Sequence, residues 1–173
     1  MSSSLKNLPI GVQTFEKLIL GNYLYVDKTQ YFYELIQTET PYFLSRPRRF
    51  GKSLMISTLE AIFLGKSALF KGLWIELSDY KWAVHPVIRL DFSGLERKVG
   101  PDLSNGIKAM LVDIAVAYEV SLNDSDTIGR VLEKLIVGLA NKTGQKVVIL
   151  VDEYDAPMLD HVGNLEYAQT NRN

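Results

Sequence analysis

The sequence contains no cysteine. That excludes disulfides, thiolate zinc sites and cysteine nucleophiles. It contains two histidines, His85 and His161, far apart in the chain, too few for a histidine-based metal centre. An excess of one charge is also missing: nineteen basic and twenty acidic residues leave a net charge of −1. Such a balance advertises neither a nucleic-acid nor a membrane-surface partner. Long apolar runs are missing too. No stretch approaches the ~20 apolar residues that a membrane span needs. The opening MSSSLKNLPIGVQTF has no apolar core of the signal-peptide type. The expectation is a cytoplasmic protein with no membrane association. There is no internal repeat and no low-complexity linker.

What is present is an ordinary globular composition. The 173 residues are 47% hydrophobic and 23% charged. A chain of this size buries roughly 70% of its unfolded surface, so it needs no covalent staple. Phe15, Leu18 and Ile19 predict one face of a short helix stopped near Gly21. Tyr23 to Val26 reads as extended. Asp27 is placed to cap a helix carrying Tyr31, Phe32, Leu35 and Ile36. Pro41 ends that helix, and Tyr42-Phe43-Leu44 reads as a short buried strand. A helix is expected from Lys52, with Met55, Leu59, Ile62 and Phe63 on one face and Gly65 closing it. Trp74, Ile75 and Leu77 suggest an edge strand. A further strand is predicted over Pro86–Phe92, with Pro86 at its first position.

Two amphipathic helices follow. One is marked by Leu103, Ile107, Met110, Leu111, Ile114 and Tyr118. The other is marked by Ile128, Val131, Leu132, Leu135, Ile136 and Leu139, after a cap region at residues 123–126 and before Gly144. Val147 to Val151 is a continuous apolar run, the pattern of a strand buried on both faces. Strands alternating with such helices predict an α/β fold with a mostly parallel sheet.

Two stretches carry chemistry. The first is Arg46-Pro47-Arg48-Arg49-Phe50-Gly51-Lys52-Ser53, predicted to join a strand to a helix. A phosphate loop reads G-x-x-x-x-G-K-[ST] in that context. Amide N–H groups at the helix start, aided by the helix dipole, face the phosphates. Gly51 lets the backbone come close, Lys52 brings a mobile positive charge, and the Ser53 hydroxyl can ligate Mg²⁺. The first glycine of the pattern is missing: Arg46 stands there. Without that glycine, a helix that merely begins at G-K-S beneath a solvated basic face is an equal alternative. The second stretch is Asp152-Glu153, at the end of the predicted strand over 147–151. Open α/β sheets bind ligands at such strand ends. An acid there can hold the Mg²⁺ shell, and the next carboxylate can polarise a water. A solvated acidic turn is the plain alternative. The two stretches support each other, and together they favour nucleotide binding.

With these residues in view, the sequence resembles the bacterial AAA-ATPase-like proteins, predicted P-loop ATPases. The resemblance rests on four stretches: residues 8–17 (LPIGVQTFEK), residues 23–29 (YLYVDKT), Arg46 to Leu54 (RPRRFGKSL) and residues 151–157 (VDEYDAP). In that family R-P-R-R-F-G-K-S-L is the usual form of the loop, so Arg46 is the expected variant. The resemblance implies a P-loop NTPase three-layer sandwich. Residues 1–40 would form an N-terminal lead-in segment packing on the ATPase core. Residues 41–173 would form that core, stopping after the Walker B strand and leaving the sheet incomplete. It also implies ATP and Mg²⁺ as ligands. The binding loop would comprise Arg46, Pro47, Arg48, Arg49, Phe50, Gly51, Lys52, Ser53 and Leu54. Ser53 and Asp152 would hold the metal, and Lys52 and Glu153 would act in catalysis. Many family members continue into a nuclease-like domain, of which this chain has no motif.

Three readings follow. One is Mg²⁺-dependent ATP binding, with hydrolysis in the full-length protein. A second is a nucleotide-sensing switch that does not hydrolyse. A third is a nucleic-acid-associated protein using the Arg46–Lys52 basic cluster, which the neutral overall charge disfavours. An oligomer is compatible with all three. For the 23–29 stretch two roles stand open. Tyr25 or Lys28 could lie near the nucleotide, or Asp27 could cap a helix while the tyrosines join the core.

Overall fold

The computed structural model describes residues 5–38, 40–45, 50–95, 100–123 and 125–155. Within them the chain is α/β, with five α-helices, short 3-10 turns and one parallel pair of strands. It divides into two compact units, Met1–Val84 and His85–Asn173.

In the first unit, α1 (Phe15–Leu20) buries Phe15 and Leu18, neighbours on one helix face. Gly21 ends it, and a side chain there would run into the Tyr23 ring. Helix α2 (Thr29–Gln37) buries Thr29 and Phe32. Helix α3 (Lys52–Phe63) buries Leu59, Ala61 and Ile62, together with the hydroxyl residues Ser57 and Thr58. Helix α1 packs on α3. The Phe15 ring stacks on Phe70 at 4.6 Å, and Phe70 meets Trp82 at 5.0 Å. Phe15, Ile62, Phe70 and Ile75 are fully buried, each worth ~1.5–3 kcal/mol of transfer free energy. Trp82 thus joins this core, whereas Trp74 is 40% exposed and leans on Tyr33.

Two expected strands of this unit do not form. Residues 40–45 have no strand pairing among the described residues, and Tyr42 and Phe43 are 54% and 72% exposed. The Tyr42 hydroxyl turns back to Thr38 Oγ1 at the end of α2. A short apolar run has no strand identity without a ladder partner. Residues Trp74–Leu77 form a 3-10 turn. The Trp74 and Ile75 amides, which a ladder would use, donate to the Asp27 carboxylate (2.6 Å) and the Thr29 hydroxyl (3.1 Å).

In the second unit, β1 (Val87–Asp91) and β2 (Val148–Asp152) pair in parallel, in register from Val87–Val148 to Asp91–Asp152. A parallel pair needs a crossover, here supplied by α4 (Gly100–Ala117) and α5 (Ile128–Thr143). Ile88 and Leu90 pack with Leu111, Ala115, Val131, Leu135 and Leu139. Helix α5 begins at Thr127, whose side chain accepts the Arg130 N–H, one residue beyond the expected cap region, and it ends at Gly144. The run over 147–151 is not covered on both faces. Ile149 and Val151, in register with buried Ile88 and Leu90, are 42% and 39% exposed. Helix α4 packs on β1.

Candidate nucleotide site

Arg46, Pro47, Arg48 and Arg49 lie outside the described residues. The structure picks up the loop at Phe50, which is exposed. Gly51 follows at φ +77°, ψ 23°, in the left-handed region that L side chains avoid. A Cβ placed on it would meet nothing within 4 Å, so the glycine is needed for its backbone angle and the space in front of it is open. The first intrahelical bond of α3 runs from the Met55 N–H to the Gly51 carbonyl. The amides of Lys52, Ser53 and Leu54 therefore belong to the turn for which a helix offers no acceptor. No side chain caps this helix and its first turn holds no acid. An uncapped N-terminus carrying a lysine and no carboxylate fits an anion.

The same turn is held from behind. Ser57 Oγ and Thr58 Oγ1 donate to the Leu54 carbonyl at 2.9 and 2.7 Å. Ser57 Oγ also accepts the Phe15 N–H at 2.9 Å. The Tyr25 ring packs edge-on against Phe15 at 5.2 Å, near the Thr58 hydroxyl. Burial pushes the Tyr25 hydroxyl up to about 12, with the Asp27 charge adding to the rise and the Thr58 hydroxyl opposing it.

Asp27 stands one residue before the N-cap position of α2. Its carboxylate accepts the Thr29 N–H and hydroxyl at 2.8 and 2.7 Å and the Trp74 N–H at 2.6 Å. Burial raises its pKa, but these bonds from Trp74 and Thr29 outweigh it and hold the group below the ordinary aspartate value. Of the two roles open for residues 23–29, the described contacts match the structural one: Asp27 and Thr29 tie the start of α2 to the turn at 74–77, and Tyr25 joins the core.

The acidic end of the second unit is built differently. Strand β2 delivers Asp152, 3% exposed, beside Arg89 on β1, with Oδ2 3.8 Å from Nη2. Its Oδ1 accepts the Glu153 N–H at 3.1 Å. Glu153 is half-buried at φ +50°, left-handed without being glycine. Asp91, in register beside Asp152, is exposed and accepts the Ser93 N–H. Among the described residues no group of three or more His, Asp or Glu side chains gathers in a way that could hold a metal ion. Sequence reasoning missed Arg89, whose signal was a charged residue in mid-strand. It also missed Ser57 and Thr58, hydroxyl residues on an otherwise apolar helix side.

Comparison with known proteins places this chain in a family. Residues 9–173 match the model described as "Predicted AAA-ATPase", and the chain belongs to that family. A curated relative is an uncharacterized protein in the vnfD 5' region of Azotobacter chroococcum mcd 1. It is 42% identical over 168 residues, covering 96% of this chain. That stretch is 32% of the relative's own length, so the chain spans about a third of the protein it matches. No solved structure matches. The family description points to nucleotide binding. No described helix is long and apolar enough to cross a membrane.

Proposed function

We propose that this chain binds ATP with Mg²⁺ at the turn opened by Gly51. The observation that carries this is the left-handed, unobstructed Gly51 at the head of α3, where the first intrahelical bond starts only at the Met55 N–H. Under this reading residues 41–173 are a P-loop NTPase core and the parallel strands belong to its sheet. Arg46 to Leu54 form the loop around the phosphates. Lys52 brings its ammonium to the outer phosphates, and the Ser53 hydroxyl is the protein's direct ligand to the metal. Asp152 supports the metal's water shell. Glu153 accepts a hydrogen bond from the attacking water and orients it. Mg²⁺, when bound, would neutralise phosphate charge. ATP as the ligand fits a cytoplasmic setting.

The test is a titration of Mg-ATP against the chain. Lys52→Ala should weaken binding by tenfold or more, about 1.4 kcal/mol; unchanged affinity refutes the phosphate-loop reading. Glu153→Gln should keep affinity and lose turnover, and equal turnover by both proteins removes Glu153 from its role.

One observation favours a second reading. Asp152 is already paired with Arg89, so a nucleotide-sensing module without turnover is consistent with this arrangement. That reading expects Mg-ATP binding with no hydrolysis, and vigorous turnover by the chain eliminates it.

A further inference from the structure

The N-terminal segment contributes more than bulk to the first unit. Its motif stretch around Phe15 ends, through Ser57, on one atom of α3, the carbonyl oxygen of Leu54, and the Tyr25 ring packs edge-on against Phe15. Leu54 directly follows Ser53. Ser57 Oγ donates to that oxygen and takes the Phe15 N–H, and Thr58 Oγ1 donates to it as well. Ser57 is 7% exposed and Thr58 is fully buried, so water does not replace either bond cheaply.

Hydroxyls that bond back one turn are a liability in a helix, because they bend it and compete with its ladder. Two in succession on one carbonyl, both buried, call for a purpose beyond helix stability. Here they fix the tilt of the peptide whose neighbours present the phosphate-facing amides. Those amides act by geometry: an N–H a few tenths of an ångström out of line loses much of its hydrogen bond. Gly51, at the N-cap position, has no side chain with which to set that geometry. The described contacts that hold the turn come from behind it.

We infer that Ser57 is a positioning residue for phosphate binding, the joint through which the Phe15 segment sets the first turn of α3. Thr58, whose hydroxyl donates to the same carbonyl, is the parallel strut. This rests on the reading of Gly51–Leu54 as the phosphate site. The inference assigns Ser57 no contact with nucleotide. It also makes the N-terminal segment part of the binding machinery, because its backbone amide is one end of the joint.

The experiment compares Ser57→Ala, Ser57→Thr and Lys52→Ala by three measurements: melting temperature, amide hydrogen exchange over Met55–Thr58 without nucleotide, and affinity for Mg-ATP. Ser57→Ala should speed exchange in that turn and weaken Mg-ATP by about tenfold. Ser57→Thr, which keeps the hydroxyl, should restore both. If Ser57→Ala speeds exchange and lowers the melting temperature but leaves affinity at the wild-type value while Lys52→Ala loses it, Ser57 is merely structural and the inference is overturned. Unchanged exchange in Ser57→Ala overturns it as well. If Lys52→Ala keeps full affinity, the phosphate-site reading has failed instead. Should Ser57→Ala not fold, Thr58→Val tests the strut: a smaller loss of affinity supports the inference, and none at all contradicts it.

Discussion

The start of α3 and the end of β2 are the two places where we propose that the chain handles nucleotide, and they are built on opposite principles. At α3 the working groups are backbone amides, the left-handed residue is a glycine, and the supports are neutral hydroxyls on the Leu54 carbonyl. At β2 the working groups are carboxylates, the left-handed residue is Glu153, and the support is the cation of Arg89. Amide dipoles can be aligned with little desolvation. A carboxylate at 3% exposure gives up most of its hydration and needs partners to offset that loss. One end is therefore inexpensive to build and the other is costly, with backbone strain at Glu153. In proteins such strain gathers at functional positions.

The largest expected effect breaks the costly end. Arg89→Leu removes the cation beside Asp152 and leaves a buried carboxylate alone. Removing one partner of a fully buried pair costs about 3–5 kcal/mol. Arg89 is 27% exposed on its side chain and sits 3.8 Å from Asp152, so ~2 kcal/mol is the expectation, the lower figure reflecting solvent screening. Urea unfolding of the variant measures it. Asp152→Asn with Arg89→Leu should recover part of the loss, since no lone charge remains. Equal stability of Arg89→Leu and wild type would mean that the two ends do not differ in this way.

The left-handed residues give a sharper contrast, because their substitutions should move stability in opposite directions. Gly51→Ala forces a Cβ into φ +77° with no clash to relieve, at a cost of ~1 kcal/mol. Glu153→Gly removes the same penalty at φ +50°, offset by the greater freedom of glycine in the unfolded chain, for a net gain of a few tenths to ~1 kcal/mol. Melting temperatures of the two variants should bracket the wild type. The strain reading of Glu153 is wrong if Glu153→Gly melts lower. Gly51→Ala should also weaken Mg-ATP, while Glu153→Gly should bind it and fail to turn over.

How much of this was legible in the sequence follows from the range of each interaction. Helices α1, α3, α4 and α5 announce themselves through apolar residues three and four apart, and β1 and β2 through their apolar runs. These are local signals that tertiary contacts reinforce. Residues 42–44 and 74–77 were read as strands because they are short and apolar. Their actual state is decided by distant partners, the Asp27 carboxylate and Thr29 hydroxyl for one. The G-K-S turn was legible because glycine, lysine and a hydroxyl at that spacing have few other uses. Its supports were not, since Ser57 and Thr58 look like ordinary helix positions until Phe15, 42 residues away along the chain, arrives beside them. Arg89 was hidden for the same reason: a mid-strand arginine has no meaning until register places it beside Asp152.

The smallest expected effect concerns acid, and it asks whether the first unit is as free of charge-dependent support as its phosphate turn. Asp27 is its exception. Burial raises the pKa of this carboxyl, and the bonds from Trp74 and Thr29 lower it further than burial lifts it, so the folded value lies below the ordinary 3.8. A carboxylate depressed in the folded state contributes stability that is fully present above the unfolded pKa and is lost as pH falls through the folded one. Asp27 should therefore support the fold fully at neutral pH and lose that support progressively as pH falls below about 4, near the unfolded aspartate value, and through its lower folded value. Its partial exposure keeps the effect modest. Asp27→Asn preserves the size but turns an NH₂ toward an amide that needs an acceptor, so it should lower stability at pH 7 and flatten the acid limb of the stability curve. Denaturant midpoints at pH 7, 5 and 3 for both proteins measure this. The decisive region is the 74–77 turn, whose amide exchange should rise in wild type at pH 3 and in Asp27→Asn at every pH, once corrected for intrinsic rates. A wild-type turn indifferent to acid would show that the Asp27 carboxylate is replaceable by water, and that the 74–77 turn does not depend on its charge.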